Sequence, residues 1–287
     1  MSNFYFFFTN FLFIFLIFIK EKVFLVGNNI MGGENIIKND IIILNSKFKK
    51  IRELGWVHTL RSGSTGVGYT FEKLIGKEEE NFEIPDFGVI EIKTKCSGEK
   101  FPISLFSASP DGDIIDPIGN LQEKYGYPDK DFPSYKVLNI AVSSDKFTKL
   151  GYYKYFKLNV NMKEEKIELL SIYKGKKEQF ISWSFYILQK KFDSKLKYLA
   201  VIDAKKKTLC SGDYYKYENI NFYEFIGFNK FIELVKFGKI IVRFKIGIFK
   251  KGPKLGKRHD RGTSFSIYAQ DLTFLYKKIE HPDSLYF

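Results

Sequence analysis

Asp86, Glu91 and Lys93 are the residues of this 287-residue chain whose types and spacing could do chemistry together. Glu91 and Lys93 stand two apart among Val89, Ile90 and Ile92, a β-branched run that predicts a strand over 84–95. On a strand, side chains two apart leave the same face, so Glu91 and Lys93 project together while Ile90 and Ile92 turn to the core. Asp86, after Pro85 at the strand's start, reaches Glu91 if the chain bends there. Clustered carboxylates repel each other unless a cation lies between them. Hard oxygen ligands at an open site suit Mg²⁺, which keeps several waters and takes phosphate oxygens as further ligands, so Asp86 and Glu91 are the expected metal ligands. Such a cation polarises a phosphate and acidifies an attacking water. Lys93 beside it can orient or deprotonate that water and steady developing charge. Taken alone, the spacing Asp-x4-Glu-x-Lys uses common residues and also arises on strands by chance.

The flanking sequence predicts the elements that hold these side chains. Gly63, Gly66 and Gly68, with Ser62, Ser64 and Thr65, predict a loop over 61–70. A compact helix follows from Thr70, with Phe71, Leu74 and Ile75 on one face and Gly76 as its stop. Glu72 lies about 100° round from Phe71, where it can point into a cleft and join the catalytic set. A helix is expected over 34–54, an acidic solvated segment over 77–83, and a long irregular loop over 108–134. Strands are expected at 102–107, 136–142, 152–160, 166–173, 197–203, 239–249 and 263–268. Helices are expected at 182–196, with Trp183, Tyr186, Ile187 and Phe192 inward, at 222–237 and at 270–278. Asp213–Tyr217 is aromatic and basic, and 250–262 is a glycine- and lysine-rich loop, which by itself is a solvated hairpin tip. The pattern is that of an α/β chain.

Net charge is +13 and the pI near 9.3, a balance that suits a polyanion such as nucleic acid or an anionic membrane surface. An AT-rich coding bias toward Lys, Asn, Ile and Phe yields the same excess, so the placement of the charge has to decide. Cys96 and Cys210 lack a CxxC spacing, and His58, His259 and His281 are scattered, which argues against a zinc site. Two cysteines fit a reducing cytosol, and a cytoplasmic location is expected. Residues 4–19 (FYFFFTNFLFIFLIFI) are apolar but short of the about 20 residues of a spanning helix. Extending the run to Val26 buries Lys20, Glu21 and Lys22. No basic n-region or small-residue cleavage site marks a signal peptide. The preferred reading of 1–30 is an upstream in-frame extension with translation starting at Met31, and a membrane anchor is the alternative.

Several runs in combination are more specific than any one of them. They are Gly55-Trp56 with RSGSTGVGYTFEKL (61–74), EEENFEIPDFGVIEIKT (78–94), WSFYILQKKFDSKLKYLAVI (183–202), YYKY (214–217) and KLGKRHDRGTSF (254–265). In this order and at these spacings the chain resembles the MvaI/BcnI restriction endonuclease family, its MvaI-like members most closely, over about residues 50–280. The family belongs to the PD-(D/E)XK nucleases and is similar to the mismatch-repair nicking endonucleases. The resemblance implies a restriction-endonuclease-like mixed sheet flanked by helices, with a smaller C-terminal DNA-recognition lobe. Here that becomes a catalytic lobe over 32–210 and a recognition lobe over 211–287. It also implies a type II restriction endonuclease, a monomer that uses Mg²⁺ to cut double-stranded DNA at a short C/G-rich site, one strand at a time. A restriction role in turn implies a protecting DNA methyltransferase. A nuclease-fold protein that binds its DNA site without cutting is the alternative.

By position, Asp86, Glu91 and Lys93 fall on the family's catalytic triad and Glu72 on its supporting helix glutamate. His259 and Asp260 fall on residues that contact bases in the major groove. The residue types agree: His259, Asp260 and Arg261 offer donors and an acceptor for base edges, while Lys250, Lys251, Lys254, Lys257 and Arg258 suit phosphates. Arg243-Phe244-Lys245 stands where the family carries Asp-x-Arg, Ser266 where Arg is common, and Arg261 where MvaI-like members have His. These departures lie in the readout region, so a different recognition sequence is expected.

Overall fold

A computed structural model describes residues 33–77, 83–112 and 114–280. The 1–30 extension, the choice between Met1 and Met31, and most of the acidic 77–83 segment lie outside the described residues. Helix α1 (Gly33–Glu53) buries Ile37, Ile41, Leu44, Phe48 and Ile51, an apolar stripe at helical spacing. In chain order there follow β1 (Val57–His58), α2 (Gly66–Leu74), β2 (Ile90–Cys96), β3 (Ile103–Ser107), α3 (Pro117–Tyr125), β4 (Tyr127–Pro128) and β5 (Lys136–Val142). Next come β6 (Thr148–Lys149), β7 (Lys154–Asn161), β8 (Lys166–Tyr173), β9 (Lys176–Ser184), α4 (Phe185–Lys191) and a π-helical turn (Phe192–Leu196). The chain closes with β10 (Tyr198–Leu209), β11 (Gly212–Phe225), α5 (Phe228–Lys236), β12 (Ile240–Ile248), β13 (Arg258–Asp260), β14 (Ser264–Ile267), a 3₁₀ turn (Ala269–Phe274) and β15 (Tyr276–Lys278).

The first sheet has the order β1-β11-β10-β2, with β15 also on β11. Its β2 runs parallel to β10 while the other pairings are antiparallel, which makes it the mixed sheet of an α/β fold. Ile90, Ile92, Ala200, Ile202, Ala204, Tyr215 and Tyr217 cover one face and pack against α1 and α2. Leu199 and Val201, on the opposite face, belong to a second core with α4, α5 and the other two sheets. Those sheets run β3-β14-β12-β5-β4, with β13 on β12, and β6-β7-β8-β9. Residue 210 lies at the tip of the β10–β11 hairpin, and β12 and β14 share a sheet with β3 and β5. Among the described residues no helix is long and apolar enough to cross a membrane.

Several elements differ from expectation: the 222–237 helix starts only at Phe228, because 222–225 end β11, and Tyr186, expected inward, is exposed. Helix α2 begins at Gly66, so Gly66 and Gly68 are helical and serve close packing: a Cβ on Gly66 would lie 2.3 Å from the Arg61 carbonyl oxygen. Residues 182–184 end strand β9, which places Trp183 in a strand, and the helix starts only after Ser184, whose hydroxyl accepts from Ile187 N–H at 3.3 Å. The 108–134 segment contains α3, which has Pro117 in its first turn and is capped by Asp116. The last helix is a short 3₁₀ turn followed by β15.

Candidate active site

Phe87 and Ile90 exchange both backbone hydrogen bonds, at 2.9 and 2.8 Å, and so close a two-residue turn at Gly88-Val89. Gly88 has φ +53°, and a Cβ there would lie 2.0 Å from the Asp40 carboxylate. Asp40, on α1, accepts from Val89 N–H at 3.0 Å, so the long helix pins the turn. This pairing folds Asp86 back alongside Glu91. Asp86 Oδ2 accepts from Ile92 N–H at 2.9 Å, and Oδ1 accepts from the Lys77 ammonium.

Glu91 is 2% exposed. Its Oε1 accepts from Lys93 Nζ at 2.7 Å and lies 3.3 Å from Lys195 Nζ. Its Oε2 is buried with no hydrogen-bond partner. A buried carboxylate oxygen left without a donor is costly, and a cation is the partner that would remove the cost. Each Asp86 oxygen retains a lone pair beyond its present bond. Among the described residues no three His, Cys, Asp or Glu side chains gather into a metal cage. Mg²⁺ does not require one, since it is commonly held by one or two carboxylates and completed by water and phosphate oxygens. Glu91 and Asp86 therefore fit such an ion.

Glu72 lies on α2 across from these groups. Burial, then the negative charge of Asp86, push its carboxyl above the usual carboxylate range, with Glu91 adding to the rise. A cavity of about 580 Å³ opens here, lined by Arg61, Glu72, Lys93, Ser107, Lys191 and Lys195. The approach of α2 to β2 is close: a Cβ on Gly68 would lie 3.2 Å from Thr94 Oγ1. Lys195 was missed by linear reasoning. The signal for it is the parallel pairing of Tyr198 with Ile90, which sets the residues just before β10 beside the start of β2.

The second group of sequence-predicted residues gathers on β12, β13 and the loops on either side of β13. Val242, Phe244 and Ile246 are buried, so Arg243 and Lys245 project from the other face of β12. Arg261 N–H donates to the Lys245 carbonyl at 3.2 Å. Partial burial, then the charges of Arg243 and Arg261, hold the Lys245 ammonium below its ordinary pKa, as befits a cationic cluster. His259 stacks on Phe249 with centroids 4.3 Å apart, and Asp260 Oδ1 accepts from Gly262 N–H at 2.9 Å. Lys251, Lys254 and Lys257 are exposed. Arg258 is instead paired with Asp116 at 2.7 Å, and Lys250 with Asp129 at 3.0 Å and Asp131 at 2.6 Å. The two groups meet at Ser107, which lines the cavity, pairs with Ser264, and would lie 3.4 Å from a Cβ on Gly262.

The model of the MvaI/BcnI restriction endonuclease family matches residues 45–276. A solved structure described as a restriction endonuclease MvaI–cognate DNA substrate complex is 33% identical, with a TM-score of 0.78, over 83% of this chain and 97% of that one. Restriction endonuclease MvaI in the absence of DNA is 32% identical over 84% and 96% of the two chains, with a TM-score of 0.52. Among curated proteins, none matches.

Proposed function

The chain belongs to the MvaI/BcnI restriction endonuclease family and is a type II restriction endonuclease acting on DNA, and from that premise we propose that it hydrolyses duplex DNA with Mg²⁺ held by Asp86 and Glu91. The observation that carries the metal assignment is the buried, unpartnered Oε2 of Glu91. When bound, the ion supplies positive charge to the phosphate and a more acidic water. The remaining work falls to side chains. Glu91 Oε1 holds the Lys93 ammonium in the cavity, where it orients the attacking water and balances charge on the phosphate. Glu72, whose carboxyl burial and Asp86 press toward the protonated form, faces the same cavity from the α2 side. Arg243, Lys245, His259, Asp260 and Arg261 read base edges, and Lys254 and Lys257 bind phosphates. Arg258, held by Asp116, fixes the reading loop and adds to its positive field.

The protein acts as a monomer on a short C/G-rich site. Because Arg243, Lys245, Arg261 and Ser266 depart from the family pattern, that site differs from those of its relatives. Incubation of the purified chain with plasmid and Mg²⁺ gives discrete fragments whose sequenced ends identify the site. Glu91→Ala or Lys93→Ala abolishes them. A smear, an intact plasmid, or equal cutting in a chelator overturns the assignment.

A further inference from the structure

We propose that the far end of the β10–β11 hairpin, with Trp56 and His58, forms a second grip on the DNA backbone, outside the recognised bases. The inference rests on the endonuclease reading and extends it to a surface that chemistry and base readout leave unused.

Sheet register places this surface. Val201 pairs with Lys93 and Asp203 with Lys95. Lys205 and Lys207 continue the same alternation along β10, opposite Lys216 and Tyr214 on β11, and Tyr214 pairs with His58 on β1. Ala200, Ile202, Ala204, Tyr215 and Tyr217 occupy the other face, under α1 and α2. Lys95, Lys205, Lys207, Lys216, Tyr214 and His58 therefore share the face that carries Glu91 and Lys93.

The cations on this track differ in what holds them. Lys95 is paired with Asp203 at 2.9 Å and Lys205 with Glu218 at 2.7 Å. Lys207 is held by rings instead: its ammonium lies 4.5 Å from the Trp56 centroid and 5.4 Å from that of Tyr214. An aromatic face restrains an ammonium without cancelling its charge, so Lys207 remains free to meet an anion. The box is built with care for its shape. His58 Nε2 donates to the Ser211 carbonyl at 2.8 Å, the His58 ring meets Tyr214 edge-on at 4.9 Å, and a Cβ on Gly212 would lie 2.9 Å from His58 Nε2. Trp56 nevertheless remains 39% exposed. A cation fixed in advance loses little side-chain freedom on binding.

Lys207 lies six residues beyond Val201, the partner of Lys93. At about 3.3 Å per residue that is roughly 20 Å from the cutting residues. Backbone phosphates recur about every 3.4 Å of duplex axis on one strand, so with β10 laid along the duplex, as the proposal requires, the grip falls about six base pairs from the scissile bond. That is beyond a short recognition site, and the contact is to flanking duplex.

The test uses two duplexes carrying the mapped cleavage site, one ending about three base pairs beyond the cut on either side and one of about 30 base pairs, with kcat/KM measured against salt. Lys207→Gln should lower kcat/KM about tenfold on the long duplex and leave the short one unchanged. The slope of log kcat/KM against log salt on the long duplex should become shallower by about one unit. Lys207→Arg should restore both, and Trp56→Ala should act like Lys207→Gln. Equal losses on both duplexes, or no loss on either, overturn the proposal. If plasmid digestion by the wild-type chain maps no site, the endonuclease reading itself fails and takes this one with it.

Discussion

Glu91 uses its two oxygens differently. Oε1 is held by Lys93 and Lys195, and Oε2 is sealed from water without a donor. If Oε2 is a metal ligand, Glu91→Gln removes both cutting and a measurable binding event. Cleavage should fall by on the order of 10³-fold, as when one stabilising group of a pre-organised site is lost. Mg²⁺ at about 100 times its Kd should stabilise the wild-type fold by about 2.7 kcal/mol. Thermal unfolding with and without Mg²⁺ checks this, and an equal Mg²⁺ shift in Glu91→Gln sinks the assignment. Glu72 gives a pH-dependent test in chelator. Its folded pKa is raised, so its contribution to stability is fully present below the unfolded pKa and is lost as pH rises through the folded one. Ionised Glu72 therefore burdens the metal-free fold near neutrality. Glu72→Gln should raise Tm relative to wild type at about pH 7, and the gain should shrink toward about pH 4. A difference that does not vary with pH refutes the shared acidic field.

Among the elements, the turn at Gly88-Val89 decides whether the two carboxylates meet. Gly88→Ala must adopt φ near +53° and push against Asp40. The left-handed conformation alone costs about 1–2 kcal/mol. Displacing Asp86 by about 1 Å can cost on the order of 100-fold in rate. Gly88→Ala should thus lower both Tm and kcat. Asp40→Ala, which only frees Val89 N–H, should cost about 1 kcal/mol and less activity, measured by denaturant unfolding and plasmid cleavage. A Gly88→Ala protein with wild-type kcat would show that the turn does not set the site. Alternation at Ile90, Glu91, Ile92 and Lys93 made β2 and its two faces legible in the sequence, and the spacing of Ile37 to Ile51 did the same for α1. Gly66 and Gly68 misled because glycine weakens an isolated helix, whereas here its missing Cβ admits the Arg61 carbonyl and Thr94. The run around Trp183 is apolar at both helical and strand spacing, so only the pairing of Ile167 with Trp183 distinguishes them. Lys195 was not legible because its proximity to Glu91 comes from parallel strands about one hundred residues apart, a relation that no local pattern carries.

At the scale of the whole molecule, the chain carries one set of Asp86, Glu91 and Lys93 and one glycine- and lysine-rich loop over 250–262. Among the described residues, the first lies on the sheet of order β1-β11-β10-β2 and the second on the sheet of order β3-β14-β12-β5-β4, so the two are not copies of one unit. A duplex presents two scissile phosphates on strands of opposite polarity, and a single site can address one of them at a time. If the monomer is the acting species, the second cut requires release or reversal of the complex between two hydrolytic steps. Supercoiled plasmid should therefore pass through an open-circular form that rises and decays before linear product dominates. At enzyme below substrate, the nicking rate should be first order in protein. Closed symmetric dimers place a second site on the other strand and convert supercoiled plasmid to linear with little nicked intermediate. Their rate would steepen toward second order below the dimer dissociation constant. Gel time courses over a range of protein concentrations separate the two. Linear product without a nicked precursor, or a second-order dependence, would mean that two chains assemble on the DNA.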